Sequence, residues 1–295
     1  MAIRTAVLYA YSIHGRDRLG NVINYSDFLQ SLSDSSSSAR RVQRGDEVIA
    51  LTQVLQSGQT WRLRFVHGYE GEPSILLDLS TGEEREDPRS TDEVLVHPAY
   101  AYVIPSRRFV AIEKRRPGLG SSEMARTLGS IGSQIGFADG LHIELNPVPS
   151  ESFITELEQF GRIRQASIFV SRPNFDWDEN AAGLTEYAEE SDGETAQVEI
   201  SAPRGGSLSK TAGIVNDIKN LAHLAIGPIK TAKIVGNKVG EARERTLSLS
   251  SHQERQSVSL DTTTSAEEQE EVLTTAAGHF LMGLPNAPDG PLLTP

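Results

Sequence analysis

A change of period constrains this chain more than any other feature. From about Val94 onward, short apolar runs of strand length alternate with stretches whose apolar residues recur every three or four positions, in the order β-α-β, a loop, then β-α-β. A helix buries a stripe and a strand buries one side, so this alternation predicts an antiparallel sheet with its helices on one face, the ferredoxin-like arrangement. After PGLGSS, the residues Met124, Leu128, Ile131 and Ile135 keep helical spacing; LHIELNPV reads as a strand. Ser150 can cap a helix with Phe153, Ile154, Leu157 and Phe160 inward, which Gly161 stops. RQASIFVSRP, AQVEIS and KTAKIVG are strands, and residues 209–225 are a helix burying Ile214, Val215, Ile218 and Leu221. Met124, Leu128, Phe153, Leu157, Phe169, Ile214 and Ile218 are therefore expected to face one core.

The part before this lobe reads mostly as strands. TAVLYAY, EVIALTQVL and WRLRFVH are β-rich, and the last places Trp61, Leu63 and Phe65 on one face, which suits a sheet with one wet side. Between the first two, Ser26 can cap a short helix carrying Phe28, Leu29 and Leu32, and the serine run at 35–38 is expected to form a mobile loop. The polar, charge-dense stretch 80–93 marks a lobe boundary. VLVHPAYAYVI and RRFVAIEKR form a hairpin joined at Pro105 and Ser106; TLSLSS and QSVSLDT resemble another, and residues 266–284 a final helix with acids in its first turns. The expected fold is thus α+β: a β-rich N-terminal lobe (1–93), a ferredoxin-like α/β lobe with an added C-terminal hairpin and helix (94–284), and a flexible tail (285–295) rich in Pro and Gly.

Composition excludes whole classes of function. No apolar run approaches the roughly 20 residues that span a bilayer, the N-terminus lacks the pattern of a secretory signal, and there is no cysteine. A cytoplasmic protein without membrane partners, disulfides or thiolate metal sites is expected. The net charge of −12 argues against coating nucleic acid through overall basicity, so the distribution matters more than the sum. Residues 204–245 hold eight bases against three acids, a balance of +5, while residues 176–194 hold eight acids and no base. Mutual neutralisation is the simplest expectation and a binding stripe the alternative.

Two glycine-containing corners focus the search for chemistry. In SAPRGGSLSKTAGIVNDIK, alignment on Lys210 and Thr211 puts Arg204 and Ser209 where a phosphate loop needs its two glycines, so a nucleotide-hydrolysing loop is rejected. A helix start flanked by Arg204 and Lys210 can still hold a phosphate on its free N–H groups. FVAIEKRRPGLGSSEMAR repeats the theme with Arg115 and Arg116, and if the two corners met, Arg115, Arg116, Arg204 and Lys210 would form one anion-binding ledge. For metals, Asp176, Asp178 and Asn180 mimic a calcium loop, but Ala181 replaces its glycine and Tyr187 its closing glutamate. His142 and Glu144 share a strand face without an identifiable third ligand, and no hydrolase or cofactor motif occurs, so neither metal nor cofactor is expected.

The succession of TAVLYAYSIHG, WRLRF, VHPAYAYVIPSRRFVAIEKRRPG, IELNPV and SIFVSRPN resembles uncharacterised bacterial proteins of mobile elements and phage-defence islands. That resemblance implies a defence- or toxin-type setting and assigns no residue a role. The expected function is an accessory or sensor protein touching nucleic acid or a phosphorylated ligand through its basic corners. The alternatives are a metal-dependent nuclease using the carboxylates at 176–179 with His142, and a self-associating module, as a homo-oligomer or with a protein partner, whose acidic and basic segments pair between copies.

Overall fold

The computed structural model describes residues 3–87, 90, 93–115, 117–171 and 195–285. Its spine is β1 (Ile3–Arg16), whose side chains alternate so strictly that Ala6, Leu8, Ala10, Ser12 and His14 share one face while Tyr11 and Ile13 take the other. One edge of β1 is shared by two partners. Residues Ile3 to Tyr9 pair with β14 (Arg255–Asp261), and Tyr11 to Arg16 pair with β9 (His142–Pro147). The other edge carries β8 (Phe109–Glu113), then β7 (His97–Ile104), β4 (Thr60–Tyr69), β3 (Glu47–Ser57) and β2 (Arg41–Arg44), completing an eight-stranded antiparallel sheet. The β7–β8 hairpin expected from sequence is present, turned by Pro105–Arg107 with Arg108 left-handed at φ 54°.

Both faces of this sheet are covered, so the expected wet side is absent over much of its area. On one face α1 (Tyr25–Asp34) and α2 (Ser121–Gln134) bury Phe28, Leu32, Met124 and Leu128 against Ile13, Leu63, Phe65 and Val110. On the other, α5 (Ala266–Gly283) lays Leu273, Ala277 and Leu281 on Leu8, Tyr102, Phe109 and Leu260. Asn24, not the expected Ser26 two residues later, caps α1, its side chain accepting from the backbone of Ser26 and Asp27. The serine run leads into a tight turn at Ser37–Arg40 capped by Ser36, and the Arg40 guanidinium is buried, donating to Leu32 O at the end of α1.

A second sheet has the order β11 (Thr195–Ser201), β10 (Phe160–Ser171), β12 (Ile229–Lys238), β13 (Glu244–Ser248). Helices α3 (Glu151–Glu158) and α4 (Ile214–Ala222) cover one face with Phe153, Leu157, Ile214 and Ile218. The α+β class and the helices-on-one-face layout hold, but the strand arrangement departs from the ferredoxin-like one. β9 leaves this sheet to pair with β1, because β14 is too short to occupy the whole edge of that strand. The expected C-terminal hairpin is not formed either: β13 joins β12 while β14 joins β1, so its two strands lie in different sheets. The large sheet takes strands from both sides of the boundary expected at 93/94, and Met124 and Leu128 belong to its core, separate from that of Leu157. Phe169 is a further correction: Ala166, Ile168 and Val170 face the core, and Phe169 points the other way, under the ammonium of Lys230 at 5.4 Å. A bulge at Ile163/Gln165 sets this phase, shifting the core-facing positions from Ile163 to Ala166, Ile168 and Val170. At Gly236, opposite Ile163, a Cβ would stand 2.1 Å from Arg162 O, so only glycine lets β12 pass this irregular stretch.

Candidate functional site

The two glycine corners are built differently from the expected ledge. At the first, Gly120 caps α2 and its N–H donates to the Glu123 carboxylate, so the positive end of this helix is already occupied by the chain's own anion. At the second, α4 starts at Ile214, not at 209, behind Gly213 at φ +64°, and the preceding segment is pinned to the sheet: Ile163 N donates to Ser207 Oγ at 2.9 Å and Leu208 N to Ile163 O at 2.8 Å. Lys210 Nζ donates to Glu158 O at 2.8 Å, the exposed C-terminal end of α3, and Lys219 pairs with the Glu158 carboxylate. Arg204 is exposed without an ion pair to a described residue; Arg116 lies outside the described residues. Arg115 is held by the large sheet and Lys210 by α3 on the small one, and among the described residues neither bonds to the other corner.

The basic stretch finds its carboxylates mainly on α3 and β9. Glu158 serves Lys210 and Lys219, Glu156 serves Lys238, Glu144 serves Lys230, and Glu241 serves Arg245. Hydrogen bonds from Lys238 and Lys219 hold the Glu156 and Glu158 carboxyls below the usual carboxylate range. The acidic segment 176–194, including the loop at Asp176, Asp178 and Asn180, lies outside the described residues. His142 and Glu144 bond each other at 3.2 Å on β9, and among the described residues no three such side chains are grouped to hold a metal ion.

Arg115 instead belongs to a constellation that only strand register assembles. On the α5 side of the large sheet, cross-strand pairing aligns Arg62 with Tyr102, while β4, β7 and β8 carry Arg64, Tyr100 and Glu113 side by side. Glu113 is buried to 1% side-chain exposure and takes Arg4 Nη1 at 3.1 Å on its Oε1. Arg115 Nε is 2.8 Å from the same oxygen, at ion-pair distance but without hydrogen-bond alignment. From α5, Glu270 accepts from Tyr100 Oη at 2.6 Å and faces Arg62 at 3.3 Å. The guanidinium groups of Arg64 and Arg115 lie over the Tyr100 ring at 6.0 and 5.2 Å. Burial, then the Glu270 hydrogen bond, pushes the Tyr100 hydroxyl up to about 12, so it stays a donor; burial and the charge of Glu113 push Tyr102 up as well. Three guanidinium groups therefore meet two carboxylates, and a fourth, Arg64, stacks beside them. The Nε atoms of Arg62, Arg64 and Arg115 and the hydroxyl of fully buried Tyr102 have no hydrogen-bond acceptor.

Sequence reasoning missed Arg4, Arg62, Arg64, Tyr100, Tyr102, Glu113 and Glu270. The signal was partly there: WRLRF and YAY each place two such residues two apart, hence on one strand face. A second buried polar group lies farther along β1, where Ser12 Oγ and His14 Nε2 are 2.9 Å apart and His14 stands opposite Glu144. Burial first, then Arg108, pushes the His14 imidazole down to about 3, so it is neutral. This group is closed over by the small sheet, through Lys230 on Glu144 and Asn146 Nδ2 donating to Gly227 O, which makes it a seam between layers.

Fold and site thus define an α+β protein of two antiparallel sheets with a half-buried arginine–tyrosine cluster on one of them. Residues 5–277 match the family described as Domain of unknown function (DUF4747), and the chain belongs to that family. No curated protein matches it. No helix among the described residues is long and apolar enough to cross a membrane.

Proposed function

We propose that this protein is a binding module that holds a phosphate-bearing ligand, a nucleic-acid backbone or a phosphorylated small molecule, against the arginine face of its large sheet. One observation carries the proposal: Arg4, Arg62 and Arg115 converge on two carboxylates while Arg64 lies over the neighbouring Tyr100 ring, leaving an excess of positive charge and of donors in a half-buried setting. Guanidinium groups match phosphate geometry, and partial burial strengthens such contacts relative to open water. The role as a cytoplasmic accessory or sensor component of a defence-type system rests on the sequence resemblance, and the basic corners contribute Arg115 to the face.

The test is fluorescence anisotropy with single-stranded and duplex oligonucleotides, and competition by inorganic pyrophosphate, at low salt. Arg64→Ala and Arg115→Ala should each weaken binding about tenfold, and each arginine lost should flatten the salt slope by about one. Lys210→Ala should leave binding within about twofold, since an exposed pair is worth little. Absence of binding at low salt defeats the proposal; loss on Lys210→Ala with Arg64→Ala unaffected would return the site to the second glycine corner.

A further inference from the structure

The connection between β4 and β7 is far longer than these neighbours require. They pair directly, His67 opposite His97, yet residues 70–96 intervene, and residues 75–86 among them form a hairpin of β5 (Ile75–Leu77) and β6 (Glu84–Glu86) that pairs with no other strand among the described residues. Every residue of both strands is exposed. The register places Ile75 opposite Glu86 and Leu77 opposite Glu84, so one face presents Ile75 and Leu77 between two carboxylates, and Leu79 stands 93% exposed at the tip. The tip is rigidly built. Asp78 Oδ1 accepts from Ser80 N at 2.8 Å, Ser80 Oγ at 2.6 Å and Thr81 N at 3.1 Å, while Gly82 at φ +73° donates to Asp78 O. At the base the chain packs closely: Leu95 O runs so near Gly68 that a Cβ there would meet it at 2.0 Å.

An isolated two-stranded hairpin is marginal in water, and three large apolar side chains on its outward face lack cover. We infer that residues 70–87 are a docking arm for a different protein chain, whose surface offers an apolar cleft rimmed by lysine or arginine. Charge selects this occupant. The segment holds seven carboxylates against Arg85 alone, a balance of −6, so arm-to-arm pairing of two copies sets like charges together, whereas a basic rim meets Glu84 and Glu86 beside the apolar contact. This surface is separate from the arginine face.

The full-length protein is titrated with a synthetic amphipathic peptide alternating leucine and lysine, in parallel with three variants: Ile75→Ser/Leu77→Ser/Leu79→Ser, Glu84→Lys/Glu86→Lys, and Glu267→Lys/Glu271→Lys as a charge-matched change elsewhere. Circular dichroism melts check that all remain folded, as substitutions at exposed positions allow. Binding by the wild type that drops at least about tenfold in the first two variants and stays within about twofold in the third supports the arm. No binding, or an equal loss in the two lysine variants, overturns it. Sedimentation showing a wild-type dimer that the triple serine variant abolishes also overturns it, by assigning the arm to a second copy.

Discussion

Two basic regions of this molecule meet their carboxylates in opposite ways. In the small-sheet lobe, five lysines crowded into residues 210–238 look like a binding stripe in the sequence. Three of them pair with carboxylates near the surface: the Lys210 and Lys219 side chains keep 30% and 32% exposure and share Glu158 at 46%, and Lys238 takes Glu156 at 35%; Lys230 alone reaches a buried partner, Glu144 at 10%. On the large sheet, arginines scattered over positions 4, 62 and 115 converge on Glu113 at 1% and Glu270 at 13%, and Arg64 lies beside them over Tyr100. The dense cluster is a solvated, neutralised face, and the dispersed one carries the unbalanced charge. Burial and register, not linear density, decide where charge has consequences.

The strongest way to break this comparison is to remove the buried carboxylate. Glu113→Ala leaves Arg4 and Arg115 facing each other without their shared anion and should cost about 3–5 kcal/mol in urea denaturation, as breaking a buried pair does. A loss under about 1 kcal/mol would show that the cluster is as well solvated as the lysine face.

The seam at His14 asks the same question with pH. Its folded pKa is depressed to about 3 against 6.5 unfolded, so the unfolded chain binds the proton first as pH falls. The contribution is complete above pH 6.5 and is lost below it, by up to about 1.4 kcal/mol per pH unit as the pH falls towards 3. His14→Gln should remove that slope between pH 6 and 4; an unchanged slope would mean that His14 titrates as an exposed histidine.

Tyr102→Phe sharpens the comparison from the donor side. Deleting a fully buried hydroxyl without a partner should leave stability unchanged or raise it by about 1 kcal/mol in urea denaturation. Destabilisation beyond about 1 kcal/mol would reveal a hydrogen bond within the cluster.

The smallest effect belongs to the lysine face. Lys219→Ala should change stability by less than about 1 kcal/mol, and less again at high salt. Because hydrogen bonding lowers the Glu158 carboxyl, its small contribution is present above the ordinary glutamate range and fades as pH falls through the lowered value. A melting temperature that drops sharply in 0.5 M salt would overturn the contrast between the two regions.

The elements whose signal is local were legible. Apolar spacing located α2, α3 and the core of α4, β-rich apolar composition located β1 and β3, alternation located β4, and the β7–β8 hairpin was visible around Pro105 and Ser106. Phe169 was misplaced because a bulge shifts the phase of a strand without leaving a mark in its composition. The arm was read as a lobe boundary because Glu84–Glu86 is too polar to announce a strand that has no core to face.

Which segments become strands and helices, and which side of each is apolar, follows from side-chain chemistry over a few neighbouring residues, and the sequence determined that much for this protein. Which strands share a sheet did not follow, because β9 and β14 both fit the edge of β1, and backbone hydrogen bonding is indifferent to sequence separation. Arg115 was visible as a basic residue at a turn. Its pairing with Glu113, and the gathering of Arg4, Arg62, Arg64, Tyr100 and Glu270 around it, come from register across four strands and one helix. Contacts spanning more than 100 positions, such as Arg4 with Glu113 and Tyr100 with Glu270, exist only once the tertiary structure has closed those distances and excluded water from between the charges.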